Sequence, residues 1–219
     1  GRWLGAGVIN DHSKIRVRLL SRNTNDRFDE AFFERRVRYA VEYRKTVMPG
    51  ADFTCCRLIF GEADGFPGLT VDRFDDVLVA QVLSLGMERH KNLIFSLILR
   101  VLREMGERVK GVYERNDVKI RELEGMSENK GIAQIPENEL TENDLMPVIF
   151  ENGLSYTVDV VNGQKTGFFL DQKYNRQAVA RIAKGKHVLD CFTHTGAFAL
   201  NAASGGAASV TAVDISAEA

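Results

Sequence analysis

Two carboxylates at the ends of two predicted strands, Asp190 and Asp214, with one glycine between them, Gly196, form the grouping most able to hold a small ligand. The apolar run His187-Val188-Leu189 ends at Asp190. Cys191-Phe192-Thr193-His194-Thr195-Gly196 then leads into the helix-forming run Ala197 to Ala203, and Ser209-Val210-Thr211-Ala212-Val213 ends at Asp214. Strand, turn, helix and strand make a β-α-β unit, and open α/β sheets bind ligands beyond the carboxyl ends of their strands. Gly196 can adopt positive φ and keeps a side chain away from a ligand. A dinucleotide site would need G-x-G-x-x-G, so that a pyrophosphate could approach the helix N-terminus closely. One glycine does not supply that grip. The residues suit a ligand with an amine and a ribose but no phosphate, Asp214 facing ribose hydroxyls; the plainer reading is a Rossmann-like unit with two ordinary strand-end acids.

Just upstream, Gly163-Gln164-Lys165-Thr166-Gly167-Phe168-Phe169-Leu170-Asp171-Gln172-Lys173-Tyr174-Asn175-Arg176 is too dense in polar and aromatic groups for a plain connector. It reads as a lid over the ligand. QKTGFFLDQ followed by NR, together with VLDCFTHTGAFALNAA and VDIS, resembles the class I S-adenosylmethionine-dependent RNA methyltransferases that join a PUA domain to a Rossmann-like domain, typified by the large-subunit rRNA cytosine-C5 enzymes. The resemblance spans nearly the whole chain. It implies S-adenosyl-L-methionine as cofactor, with Lys165, Thr166 and Phe168 lining its pocket and Asp171 and Arg176 supporting it. Asp190 and Gly196 would form the glycine-turn site, Phe192, Thr193 and Phe198 would shape the pocket, and Asp214 would take the ribose. The family usually has Arg where this chain has Lys173, which cannot make a bidentate contact. A pyrimidine-C5 methyltransferase needs a cysteine nucleophile. Cys191 belongs by position to the cofactor turn, and in the resembling family the nucleophile comes from a later strand, so no catalytic residue is assigned in this chain.

The elements that must position these residues fit a chain of 219 residues, 44% of them hydrophobic, enough for a sizeable core and one or two domains. The fold class expected is α/β and α+β: the end of a PUA-like β domain with a linker helix (1–48), a small α+β middle domain (49–162) and the first β-α-β of a Rossmann-like methyltransferase domain (163–219). Asp29 is placed to cap a helix over Glu30 to Thr46, and Met48-Pro49-Gly50 breaks it. Another helix is expected from about Glu88 to Met105. Hairpins are expected around Phe74-Asp75-Asp76 and through Asn152-Gly153, the latter a strong turn pair. The acidic stretch from Asn116 to Asp144 reads as mobile. The opening without methionine, and an end just after a second parallel strand, read as a longer protein cut at both sides, since two parallel strands cannot bury both faces.

The net charge of −1 argues against strong nonspecific nucleic-acid binding, but its distribution is uneven. Residues 1–45 hold 11 Lys and Arg against 6 Asp and Glu, whereas 116–144 hold 3 against 8. Basic patches attract phosphate whatever the total charge, so Lys14, Arg16, Arg18, Arg35, Arg36 and Arg38 are candidates for contacts to RNA, here rRNA; a solvated surface of mixed charge is the alternative. Lys14 to Leu19 alternates cationic and apolar residues at period two, as a half-buried strand with its cations outward would. No run approaches the roughly 18 apolar residues of a membrane span and no signal peptide is apparent, so a cytoplasmic protein is expected. Three cysteines and four scattered histidines give neither a disulfide framework nor metal spacing, and the cysteines read as reduced core residues. Gly61 to Gly68 lacks the Lys-Ser or Lys-Thr of a phosphate loop. An RNA methyltransferase is the leading reading; a nonenzymatic RNA-binding protein with a degenerate cofactor fold and a nucleotide-dependent oxidoreductase are the alternatives.

Overall fold

The computed structural model describes residues 1–216. The chain forms two compact units, one of Gly1–Ile149 with Thr157–Phe168 and one of Phe150–Tyr156 with Phe169–Ala219. The last three residues of the expected 163–219 domain lie outside those described.

The first unit opens with an antiparallel pair, β1 (Ala6–Ile9) and β2 (Val17–Ser21), followed by α1 (Glu30–Val47). Asp29 starts this helix as its sequence suggests, its carboxylate accepting from the Phe32 amide at 3.0 Å. Next come β3 (Cys55–Phe60), β4 (Leu69–Phe74) and β5 (Val77–Val82), the short α2 (Leu85–Glu88), α3 (Lys91–Glu104), β6 (Gly111–Asn116) and β7 (Asn129–Ile132). They build a mixed sheet in the order β3-β4-β5-β6-β7. Only β5 and β6 among these run parallel; the helices α2 and α3 make the crossover such a pair requires. Phe33, Val37 and Val41 of α1, Leu58, Val71, Leu78 and Val112 of the sheet, and Ile94, Phe95 and Ile98 of α3 share one core. Met48-Pro49-Gly50 ends α1, yet the helix packs into the core of the sheet that follows the expected linker.

Two expectations are corrected here. Lys14 and Arg16 face solvent as expected and the strand begins only at Val17, but Ile15, Val17 and Leu19 are about half exposed, at 59%, 56% and 48%, and Arg18 turns inward. The cause is Glu124, buried and accepting from Asn10 at 3.1 Å and from Ser13; the Arg18 guanidinium at 2.8 Å completes its neutralisation. These partners hold the Glu124 carboxyl below its usual range, against the burial that raises it. The acidic stretch that contains Glu124 is likewise not a plain mobile loop. It forms the edge strand β7 and two 3-10 turns, Lys119–Glu124 and Glu142–Asp144. Asp144 is paired to Lys110 and bonded by Thr141, and its carboxyl is lowered to about 2.

In the second unit, β8 (Val148–Glu151) and β9 (Leu154–Thr157) form the expected hairpin; β8 begins in the first unit, and β9 ends there. Asn152 and Gly153 have φ of 56° and 82°, as a two-residue turn of primed type requires. α4 (Lys173–Ile182), β10 (His187–Cys191), α5 (Ala197–Ser204) and β11 (Ser209–Val213) follow. β10 and β11 are parallel with His187 opposite Ser209 and Cys191 opposite Val213. This is the predicted β-α-β unit. The β8–β9 hairpin is tied to α4 by a buried ion pair, Arg176 Nε and Nη2 donating to the two Glu151 carboxylate oxygens at 2.6 and 2.9 Å. Both side chains are at most 2% exposed. Removing one member of such a pair leaves a desolvated charge, which typically costs about 3–5 kcal/mol. Glu151→Ala is therefore expected to lower urea stability by that order, and a loss below about 1 kcal/mol would contradict the burial of the pair.

Candidate functional site

The turn after β10 requires unusual backbone. Phe192, His194 and Gly196 all have positive φ, at 61°, 51° and 70°, and non-glycine residues there are strained relative to ordinary loops. The Asp190 carboxylate compensates: its Oδ2 accepts from Thr193 Oγ at 2.6 Å and from the Ala199 amide at 3.0 Å. Ala199 is the third residue of α5, so Asp190 satisfies one of the amides that a helix beginning after glycine leaves without a side-chain cap. The Thr193 amide, in turn, donates to Val213 O at 3.1 Å, joining the turn to the neighbouring strand. Asp190 thus works inside the turn rather than at its open face.

Asp214 is held differently. Its Oδ1 accepts from the Ser216 amide and its Oδ2 from the His194 amide, each at 2.9 Å. These backbone donors lower its carboxyl below the usual range, Ser216 contributing most, so it is an anion at neutral pH. A carboxylate offers about four acceptor sites, and two amides leave room for hydroxyl donors. A cavity of about 400 Å³ opens beside it, lined by Thr193, Thr195, Gly196 and Asp214 among others. A Cβ placed on Gly196 would meet nothing within 4 Å. The glycine therefore serves its φ and borders open space.

Around this turn, the Phe169 ring meets His194 edge to face at 5.3 Å. His194 Nδ1 is buried with no hydrogen-bond partner among the described residues. Phe192 is 84% exposed. Cys191 is exposed, not a core residue as expected, while Cys55 and Cys56 are buried. Arg176, besides Glu151, donates to Phe169 O at 3.0 Å, with its guanidinium 6.0 Å from the Phe198 ring. Asp171 is exposed and accepts from Gln172 Nε2 at 2.9 Å.

The other predicted cofactor residues fall in the first unit. Thr166 and Phe168 are buried, and Lys165 has φ of 55°. Thr166 Oγ donates to Asp72 at 2.6 Å; Asp72 also takes both arms of Arg57 at 2.9 and 3.1 Å. Sequence reasoning missed this anchor, because nothing in the run around Asp72 distinguishes it from a strand residue. It missed Glu151 and Asn201 too. Asn201 donates to Tyr156 Oη at 2.8 Å and accepts from Asn152 at 3.2 Å, a pairing between residues 45 and 49 apart with no local sign.

Five of the six candidate RNA contacts have partners inside the protein. Arg16 pairs with Asp11, Arg18 with Glu124, Arg35 with Asp26, and Arg38 with Glu34 and Glu104. Arg36 is bonded to the Gly65 and Leu20 carbonyl oxygens and lies 4.4 Å from the Phe32 ring. Lys14 is exposed. Lys14 and Arg16 stand furthest into solvent, and Arg18 and Arg36 are structural first.

Residues 138–219 match the family described as S-adenosylmethionine-dependent methyltransferase. Ribosomal RNA large subunit methyltransferase I of Pseudoalteromonas translucida is 42% identical over 217 residues, and that of Shewanella denitrificans 41% over 220. Each match takes in 99% of this chain and 52% of the relative, so the chain spans about half the length of these curated relatives. A candidate SAM-dependent methyltransferase from Streptococcus mutans has a similar structure, with a TM-score of 0.78 at 26% identity over 98% of this chain and 52% of that one. A candidate methyltransferase complexed with SAH gives 0.79 at 25%, over the same shares.

The double role of Asp190 sets an expectation. Asp190→Ala removes two hydrogen bonds, one a helix cap, and should lower the stability of the protein by about 1–3 kcal/mol in chemical denaturation. Asp190→Asn, which keeps one acceptor oxygen, should recover part of that loss; equal losses for the two variants would deny the capping role.

Proposed function

We propose, because residues 138–219 match the family described as S-adenosylmethionine-dependent methyltransferase, that the protein binds S-adenosylmethionine at the β10–α5 turn and serves the methylation of large-subunit rRNA. The observation that carries the reading is the open space over Gly196 beside an amide-held, anionic Asp214, in a turn with one glycine and no pyrophosphate grip. That combination suits a nucleoside cofactor with a ribose and no phosphate, and it disfavours a dinucleotide-dependent oxidoreductase.

Asp214 would accept from the ribose hydroxyls. Thr193, Phe192 and Phe198 would shape the pocket, Asp190 and Gly196 would fix the turn, and Arg176 and Asp171 would support it. Lys165, Thr166 and Phe168 complete the assignment, Thr166 positioned through Asp72. When bound, S-adenosylmethionine supplies an electrophilic methyl group on a sulfonium, so the protein's task is mainly orientation and exclusion of water. RNA as substrate is supported by the names of the relatives, which specify ribosomal RNA and its large subunit. The finer target, C5 of a cytosine, rests on the motif resemblance. So does the reading of residues 1–48 as the end of a PUA-like domain, 49–162 as a middle domain and 163–219 as the start of the methyltransferase domain. A cytoplasmic setting follows from an rRNA substrate; no helix among the described residues is long and apolar enough to cross a membrane.

Two outcomes test the proposal. Asp214→Ala should weaken S-adenosylmethionine binding in calorimetry by about 1.5–3 kcal/mol for each ribose hydrogen bond lost; unchanged affinity in a folded variant removes Asp214 from the site. For RNA, Lys14→Glu with Arg16→Glu should flatten the salt dependence of binding to rRNA fragments by roughly 0.7–0.9 in log–log slope per lost phosphate contact. Arg18 is left intact because Glu124 depends on it. An unmoved slope means these cations only solvate the hairpin.

A further inference from the structure

The first unit holds a second cavity, of about 430 Å³, in a different compact unit from the β10–α5 turn. It lies between the first turn of α3, which contributes Lys91 and Asn92, and the β6–β7 edge of the sheet, which contributes Glu114, Asn129 and Lys130. Its volume is within the range of small-molecule sites, about 300–1,000 Å³. Gly131 stands opposite Glu114 in the register, and a Cβ there would meet nothing within 4 Å. The ladder position that would otherwise bring a side chain beside the Glu114 carboxylate is therefore open.

Glu114 is 6% exposed. Its Oε2 is fully engaged, accepting from Lys91 Nζ and Asn116 Nδ2, both at 2.7 Å. Its Oε1 accepts no hydrogen bond among the described residues. That oxygen belongs to a side chain that lines the cavity, and its unused lone pairs can accept from an N–H or O–H donor of a ligand. The carboxamides of Asn92 and Asn129 at the exposed rim can each donate and accept, and Ile132 gives an apolar wall. The anionic floor repels a phosphate placed deep, whereas the Lys130 ammonium and the opening turn of α3 favour one at the mouth.

We infer that this cavity takes one unstacked nucleotide of single-stranded RNA, its exocyclic amino group donating to Glu114 Oε1 and its phosphate at Lys130. The inference rests on the proposed RNA substrate and adds a base preference. Carboxylates read the amino group of cytosine, and unstacked bases are read at their edges in single-stranded RNA. Uracil carries a carbonyl at the corresponding position and is disfavoured.

Fluorescence anisotropy with labelled octamers of cytidylate and uridylate at one fixed salt concentration tests this. The wild-type protein should bind oligo(C) about tenfold more tightly than oligo(U). Glu114→Gln, whose amide can donate to the uracil carbonyl, should erase or reverse that preference. Asn92→Ala with Asn129→Ala, both at the exposed rim, should weaken oligo(C) severalfold and guards against misfolding of the Glu114 variant. Equal binding of the two octamers, unmoved by all these substitutions, overturns the site while leaving RNA binding in place. Binding of neither octamer nor rRNA fragments overturns both this site and the RNA reading. Cytidine monophosphate should compete only far above the octamer's own concentration; competition at equal concentration reassigns the cavity to a free nucleotide and overturns the RNA assignment.

Discussion

The second unit depends on how one carboxylate resolves a strained turn. Between β10 and α5 the backbone reverses through three left-handed residues, two of which carry side chains. Such a path is unfavourable by itself and persists where surrounding bonds over-determine it. Asp190 supplies two of them, to Thr193 and to Ala199, and Thr193 passes the constraint to β11 through Val213. Because His194 then presents its amide to Asp214, the geometry of the second acid follows from that of the first. The two strand-end acids, alike in sequence, therefore do different work: one is consumed by the fold and the other retains acceptor capacity.

The same economy appears in the first unit, where buried acids decide which cations are available. Glu124 draws Arg18 inward, Asp72 holds Arg57 and Thr166, and the partly buried Glu107 takes both Arg73 and Lys45. Desolvated carboxylates cost too much to be left alone. A basic count of 11 along the first 45 residues thus overstates the charge offered to a partner, since much of it balances acids from distant segments.

What was legible in the sequence was local. The Asp29 cap, the Asn152-Gly153 turn and the β-α-β around Asp190 and Asp214 are each encoded within one continuous stretch, where spacing and turn chemistry act directly. What was not legible depends on pairing across the chain. Arg18 meets Glu124 over 106 positions and Thr166 meets Asp72 over 94, and no periodicity announces either. The Lys14–Leu19 alternation is the clearest instance: the strand begins only at Val17, and of the three cations Arg18 alone turns inward, drawn by an acid far along the chain. Likewise, composition made 116–144 look unstructured, although Asp144, Glu124 and Glu139 are matched by Lys110, Arg18 and Arg103.

The second unit is discontinuous, and this bears on inheritance. Its hairpin, Phe150–Tyr156, precedes a segment that belongs to the first unit, yet supplies Glu151 to Arg176 and Tyr156 to Asn201. A piece beginning at Phe169 would bury a guanidinium without its counter-ion. An exchange boundary that keeps Arg176 paired with Glu151 therefore lies upstream of the hairpin and carries Thr166 and its neighbours with it.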